Sequence, residues 1–299
     1  MNDENNLRNS TPEGEMSPSE EAVLEANSEP KCEPQMDVKT SPANNRKFPS
    51  WVDLFALVGV FILSSLLGSL VALVGWGGEL PPQATLVYYI VQMLPPVVFL
   101  VWLRRRAGRS GGIHLGLRQI SLPLLLWGVV LLVASSFVIE PLLMLFPTEG
   151  YDAVTNVVGK GVWAVLSVVV CAPVLEEILF RGLIFESCRE RFGGGGAVLI
   201  SALLFGLVHG VPVQIINAFV VGIILGFIYL RTRSLVNVML LHAVNNGIAY
   251  LTMGLEADTM RELIKADWLY WTIYAVAAVV FVLSMIKVVV ALRDSRELE

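Results

Sequence analysis

Long apolar segments recur along this chain of 299 residues, from about residue 52 almost to the C-terminus. A helix needs about 20 mostly apolar residues to cross the hydrocarbon core of a bilayer. The pattern predicts an all-α fold, a polytopic membrane bundle of about eight transmembrane helices at about 52–75, 84–103, 121–145, 162–186, 195–210, 213–230, 235–253 and 268–291. The fifth and sixth of these segments are short and separated only by residues 209–212, which indicates a tight hairpin that does not reach both faces.

The first 47 residues have a different character from the rest of the chain. They are rich in Glu, Ser, Pro and Asn, and ten of the 26 acidic residues lie among the first 37. A segment of this composition cannot bury enough apolar surface to offset the entropy lost on ordering. We therefore expect residues 1–47 to be a disordered acidic cytoplasmic tail and residues 48–299 to be the membrane domain.

Composition supports the membrane interpretation and excludes one class of partner. The chain is 55% hydrophobic and 16% charged, against about 25% charged residues in soluble domains. The net charge of −5 argues against nucleic acid as a partner, because phosphate binding needs a basic surface. The cysteines Cys32, Cys171 and Cys188 form no disulfide framework or paired metal-ligand spacing, so we expect reduced thiols.

Basic residues lie in alternate loops. Cytoplasmic loops of membrane proteins are rich in Lys and Arg. With a cytoplasmic N-terminus, the opposite loops hold only Lys160, Arg261 and Lys265. We therefore expect an integral, multi-pass protein of the plasma membrane with both termini in the cytoplasm. The residues assigned to the cytoplasmic side are Arg46, Lys47, Arg104, Arg105, Arg106, Arg109, Arg189, Arg191, Arg231, Arg233, Lys287, Arg293 and Arg296.

Two adjacent glutamates in the fourth segment stand out, because ionisable side chains in a membrane are costly and mark functional sites. Glu177 and Arg181 are four residues apart and can form an ion pair on one helical face. Glu176 is rotated by about 100°, which leaves its carboxylate available for general base or acid work. We expect Pro173 to bend the helix and open room around Glu176. The alternative is that both glutamates are solvated at the interface.

Histidines and an asparagine in two later segments extend this set. His209 ends the fifth segment, and His242 and Asn246 share one face of the seventh. Glu176 and His209 could activate a water, and His242 and Asn246 could donate to an oxyanion, as amide hydrolysis without a covalent intermediate requires. The histidines could instead be packing residues. Glu and His are also zinc ligands, although the chain has no His-Glu-x-x-His pair.

Three motifs occur in order, each in its own apolar segment: Glu-Glu-x-x-x-Arg from Glu176, Phe-x-x-x-His from Phe205 and His-x-x-x-Asn from His242. Together they resemble the CAAX protease and bacteriocin-processing family, which includes the Ras-converting CAAX endopeptidase and the bacterial abortive-infection-type membrane proteases. The resemblance covers about residues 160–250 and implies a glutamate-dependent intramembrane endopeptidase.

The resemblance also implies a role for each motif residue. Glu176 would be the base that acts on water, with help from His209. His242 and Asn246 would form the oxyanion site. Glu177 and Arg181 would hold the site together, and Phe205 would pack beside His209.

The resemblance leaves the substrate and part of the mechanism open. It implies a membrane-associated peptide or protein, which could be prenylated as in CAAX proteins, cut near the cytoplasmic side. We expect no cofactor and no metal. The alternatives are a non-catalytic membrane protein for immunity or binding, and a metal-dependent membrane hydrolase that uses the same residues.

Overall fold

The structure, a computed structural model, describes residues 48–75, 81–109, 115–116, 120–147, 158–253 and 259–297. The predicted disordered tail, residues 1–47, lies outside the described residues. The helices are α1 (Trp51–Gly75), α2 (Pro82–Arg106), α3 (Leu122–Leu143), α4 (Val162–Leu207), α5 (Pro212–Thr232), α6 (Leu235–Thr252), α7 (Met260–Ile264) and α8 (Asp267–Glu297).

Within these ranges, seven helical stretches are long and apolar enough to cross a membrane. One of them, α4, has 46 residues and contains the fourth and fifth predicted segments. Many large apolar side chains on the outside of the bundle are exposed, as a surface in contact with lipid requires. The prediction of a polytopic helical membrane bundle is confirmed, and each of the eight predicted apolar segments is largely helical.

The chain reverses direction within α4, at Gly193. This residue has φ 73° and ψ 178°, a backbone conformation that glycine adopts at little cost. Ser201 Oγ donates to the Phe180 carbonyl at 2.9 Å, so the two halves of α4 run antiparallel. We call residues 162–192 the first arm and residues 194–207 the second arm. Gly194, Gly195 and Gly196 are helical, so the reversal is confined to Gly193.

Prolines and serines set the beginnings of several helices. Pro82 and Pro212 lie at the first helical positions of α2 and α5, where the missing N–H costs nothing. Ser121 caps α3 by accepting from the Leu124 N–H, and Ser234 caps α6 in the same way. The turn between α5 and α6 is short because Arg233 adopts a left-handed conformation, with φ 55°.

Small residues allow the second arm to pack closely against α5. A Cβ added to Gly206 would lie 2.8 Å from the Ile215 carbonyl oxygen, and one added to Gly222 would lie 3.0 Å from Ala202 Cα. In membranes such close approach is a main source of helix association, because lipid is as apolar as the side chains. Elsewhere α3 packs along α8, α1 along α2, and α6 against the first arm.

Basic residues at the ends of α2 and α5 meet polar residues of the first arm at one end of the bundle. Arg104 donates to Ser187 Oγ at 2.8 Å, Arg233 pairs with Glu186 at 2.5 Å, and Arg109 pairs with Glu190. We call this the arginine-rich end. Its ion pairs link helices that are far apart in sequence.

Glu140, near the last turn of α3, has a structural role. Its Oε1 accepts from the backbone N–H of Met260 at 2.5 Å and of Arg261 at 3.3 Å. A carboxylate at the first turn of a helix satisfies donors that have no partner within the helix. Glu140 therefore fixes α7 at the end of the bundle away from the arginine-rich end.

Candidate active site

The first arm is a mixture of helical types. Residues Val165–Cys171 and Ile178–Phe185 form wide, π-helical turns, and the α-helical turn Ala172–Glu177 lies between them. Such wide turns are rare and are found mostly at functional sites. Both glutamates of the first motif end the central turn and are buried, so the alternative that they are solvated at the interface is wrong.

Glu177 lies at the centre of a buried polar cluster. Its Oε1 accepts from Arg181 Nη1 at 2.8 Å and from His242 Nδ1 at 2.8 Å. All three side chains are buried, and the predicted ion pair is present. Arg181 also donates to the Gly222 carbonyl at 3.1 Å, which ties the first arm to α5. Glu177 is therefore neutralised and holds the ring of His242.

Glu176 has different neighbours. Its Oε1 accepts a hydrogen bond from the Tyr89 hydroxyl of α2, and its Oε2 lies 3.5 Å from His242 Nε2. Among the described residues no Arg or Lys pairs with it. Glu176 as a residue is 6% exposed, so it combines burial with the lack of an Arg or Lys partner among the described residues.

His209 follows the second arm, in the turn before α5. Its Nδ1 lies 2.8 Å from the Phe205 carbonyl oxygen. Since a carbonyl can only accept, Nδ1 carries the proton, and in the neutral ring Nε2 keeps its lone pair. The ring of Phe205 packs edge-to-face on His209 and on His242, with centroids 5.1 and 5.5 Å apart.

Asn246 is bonded to the backbone of the first arm. Its Nδ2 donates to the Val168 carbonyl at 3.0 Å. In a wide turn this carbonyl would accept from the N–H five residues on, but that residue is Pro173, which has none. Pro173 therefore frees a carbonyl in the membrane, and Asn246 satisfies it. This use of Pro173 was not predicted.

A cavity of about 230 Å³ adjoins these residues. Four of the predicted site residues line it: Phe205, His209, His242 and Asn246. Glu176 is not part of the lining, and its Oε2 lies 3.5 Å beyond His242 Nε2.

The remaining lining is apolar or carries neutral polar groups, among them the carboxamides of Gln214, Asn217 and Asn245. Sequence reasoning did not select these carboxamides, because they are uncharged and lie outside the three motifs. It also missed Tyr89. The feature that could have identified this residue is a polar hydroxyl within an apolar segment, but that segment carries none of the three motifs.

A metal site needs several His, Cys, Asp or Glu donors close together. Within the described ranges no three His, Cys, Asp or Glu side chains are grouped so that they could hold a metal ion. Both ring nitrogens of His242 face carboxylate oxygens, Nδ1 at 2.8 Å from Glu177 and Nε2 at 3.5 Å from Glu176.

The fold and site define an integral, multi-pass helical membrane protein with a buried glutamate, arginine and histidine cluster. Residues 158–248 match the family model described as "Type II CAAX prenyl endopeptidase Rce1-like". The matched region contains all three motifs. The resemblance to the CAAX protease and bacteriocin-processing family is therefore confirmed.

A curated relative also matches. It is the Bacillus subtilis (strain 168) protein named "Putative membrane peptidase YdiL", 28% identical over 109 residues. The match covers 36% of this chain and 44% of the relative, so the chain spans less than half of the relative's length. No solved structure matches.

Proposed function

We propose that this protein is an intramembrane glutamic endopeptidase that hydrolyses a peptide bond of a membrane-associated peptide or protein. The observation that carries the proposal is the difference between two adjacent buried carboxylates. Glu177 is paired with Arg181 and His242, whereas Glu176 has no Arg or Lys partner among the described residues. A positioned carboxylate of this kind suits general base catalysis. The family match and the peptidase name of the relative support it.

The proposed reaction needs one water and no covalent intermediate. Glu176 takes a proton from the water, and the water oxygen attacks the carbonyl carbon of the scissile amide. Glu176 then gives that proton to the amide nitrogen as the C–N bond breaks. His209 assists by accepting a hydrogen bond from the water at Nε2, which is unprotonated in its neutral ring.

The oxyanion that forms on the carbonyl oxygen needs donors aimed at it. We assign this role to Asn246 and to His242, which line the cavity. Asn246 uses one of its two amide hydrogens on Val168 and keeps the second. His242 donates from Nε2 when that atom is protonated. Glu177, Arg181 and Phe205 position these groups.

The orientation in the bilayer is part of the proposal. The arginine-rich end is the cytoplasmic end by the positive-inside rule, which puts both termini in the cytoplasm. The plasma membrane is the proposed location. The substrate is proposed only as a membrane-associated polypeptide, and a prenylated CAAX-type protein is one member of that class.

The test uses purified wild type and the Glu176→Gln variant in detergent, with a peptide panel that includes a farnesylated CAAX peptide. Mass spectrometry identifies the products, with and without a chelator. We expect cleavage by wild type alone, unchanged by chelation. Glu140→Gln is the matched control, because it changes a buried carboxylate away from the site and should retain cleavage.

Other outcomes separate the alternatives. Loss of cleavage in the presence of the chelator would show that the same residues act as a metal-dependent hydrolase. Cleavage by folded Glu176→Gln at the wild-type rate would overturn the glutamate mechanism. If folded wild type cleaves none of the peptides while a biological effect persists in Glu176→Gln, the protein acts by binding.

A further inference from the structure

The cavity lies towards one end of the bundle. It extends from His242 to Tyr250 and Met253 along α6, a helix that begins at Leu235, just after Arg233 of the arginine-rich end. From Leu235 to Met253 is about 27 Å at 1.5 Å per residue. The cavity therefore lies in the half of the bundle away from the arginine-rich end.

The other lining elements give the same placement. Val158 precedes the first arm, and Gln214 lies in the first turn of α5, beside the turn that holds His209. This turn joins the second arm to α5 at the end opposite Gly193. No residue of the arginine-rich end is among those that line the cavity.

The lining has a specific chemistry. No Asp, Glu, Lys or Arg is among the described residues that line the cavity. The side chains of Gln214, Asn217 and Asn245 make no hydrogen bond to any described residue. Each carboxamide carries donors and an acceptor, the same groups that a peptide bond offers. The three side chains are half-buried and face the cavity, so their donors and acceptors are available to a bound ligand.

We propose that this cavity binds a short, uncharged, extended peptide segment that enters from the extracytoplasmic side, with its main-chain amides paired to Gln214, Asn217 and Asn245. The volume of about 230 Å³ is below the roughly 300–1,000 Å³ of sites for drug-sized ligands, which fits a short segment. Cleavage of that segment, and the assignment of its side of entry as extracytoplasmic, rest on the proposed function, whereas its binding in the cavity does not. Entry from this side replaces the expectation that the peptide is cut near the cytoplasmic side.

The side of entry is tested by cysteine labelling of the full chain in intact cells. Met253→Cys places a thiol at the mouth of the cavity, and Arg231→Cys places one at the opposite end. The parent protein with its native cysteines is measured in parallel. A membrane-impermeant maleimide should label Met253→Cys in intact cells, and Arg231→Cys only after permeabilisation. The reverse pattern would overturn extracytoplasmic entry.

Binding is tested without catalysis, in the Glu176→Gln background. A short uncharged peptide should slow labelling of Met253→Cys at least several-fold, and a peptide with charged side chains should not. Asn217→Leu should abolish this protection. Gln83→Leu is the matched control, since Gln83 lies on α2 away from the cavity, and it should keep the protection.

The outcomes distinguish this proposal from the proposed function. If peptides protect the thiol but wild type cleaves nothing, peptide binding in the cavity is supported and the proposed endopeptidase activity is overturned. If wild type cleaves a peptide that never protects the thiol, the cavity is not the substrate site. Equal protection in Asn217→Leu and Gln83→Leu would overturn the role of the carboxamides.

Discussion

Tyr89 is the residue outside the three motifs that contacts the proposed base. Its hydroxyl bonds to Oε1 of Glu176, and this leaves Oε2 as the oxygen nearer to His242. A hydroxyl that fixes one carboxylate oxygen restricts the rotation of the other. We therefore regard Tyr89 as a positioning residue whose effect is on the chemical step and not on substrate binding.

Removal of the Tyr89 hydroxyl should slow catalysis without weakening substrate binding. For Tyr89→Phe we expect kcat to fall about tenfold, which corresponds to roughly 1.4 kcal/mol in the activation free energy. KM should stay within about twofold of the wild-type value. Steady-state kinetics on the best peptide checks this. Tyr88→Phe alters the neighbouring tyrosine of α2 and should change neither constant. A rise in KM with unchanged kcat would contradict a positioning role.

The Glu177 and Arg181 pair should be costly to break from one side. Arg181→Met leaves the Glu177 carboxylate buried with only His242 as a partner, and we expect a loss of about 3–5 kcal/mol in the free energy of unfolding. The double variant Glu177→Gln/Arg181→Met removes the uncompensated charge and should recover part of that loss. Unfolding in detergent measures both. A double variant as unstable as the single one would contradict this account.

At the scale of the element, the first arm shows how a proline shapes the site. Pro173 lacks the N–H that the Val168 carbonyl would accept, and Asn246 on α6 supplies the missing donor. The wide turns on either side of residues 172–177 fix how the two glutamates face the bundle. The site therefore depends on a local departure from regular helix.

Asn246 combines a structural bond with a proposed catalytic role, and a second substitution separates them. Asn246→Leu leaves the Val168 carbonyl unsatisfied, with an expected loss of about 1–3 kcal/mol in the free energy of unfolding. Adding Pro173→Ala restores an N–H and should recover stability but not peptide cleavage. Thermal unfolding and cleavage assays of the two variants give the result. Recovery of both would show that Asn246 is structural only.

Gly222 should tolerate no side chain, because α5 and the second arm leave no space for one. A Cβ there would lie 3.0 Å from Ala202 Cα, a backbone atom that cannot move alone. Gly222→Ala should lower stability in detergent by about 1–3 kcal/mol, as overpacking does. At Gly247 the nearest atom would be 3.7 Å away, an ordinary contact, so Gly247→Ala is the control and should be near neutral.

At the scale of the whole molecule, the apolar segments predicted the helices well, because length and hydropathy decide what crosses a bilayer. The ion pair of Glu177 and Arg181 was also predictable, because residues four positions apart share one face of a helix. The contact of Tyr89 with Glu176 joins residues 87 positions apart, and no local pattern encodes it. The wide turns were also missed, because neither apolar periodicity nor a motif distinguishes them from regular helix.

The proposed orientation predicts the behaviour of C-terminal fusions. A fluorescent protein that folds only in the cytoplasm should fluoresce when it follows residue 299, and alkaline phosphatase at the same point should be inactive in bacterial cells. The basis is the concentration of Arg at the end that includes Arg104 and Arg233. An active phosphatase fusion would show that the orientation is the reverse of the one proposed.

The reversal at Gly193 has a consequence for the lipid around the protein. The second arm has about 14 residues, which span roughly 21 Å, against a hydrocarbon core of about 30 Å. Such hydrophobic mismatch is relieved when the bilayer thins locally. Thinning beside this arm draws headgroups and their water towards His209, which lies in the turn that follows it. Lipid chain length therefore becomes a determinant of hydration in the site, independent of any side chain.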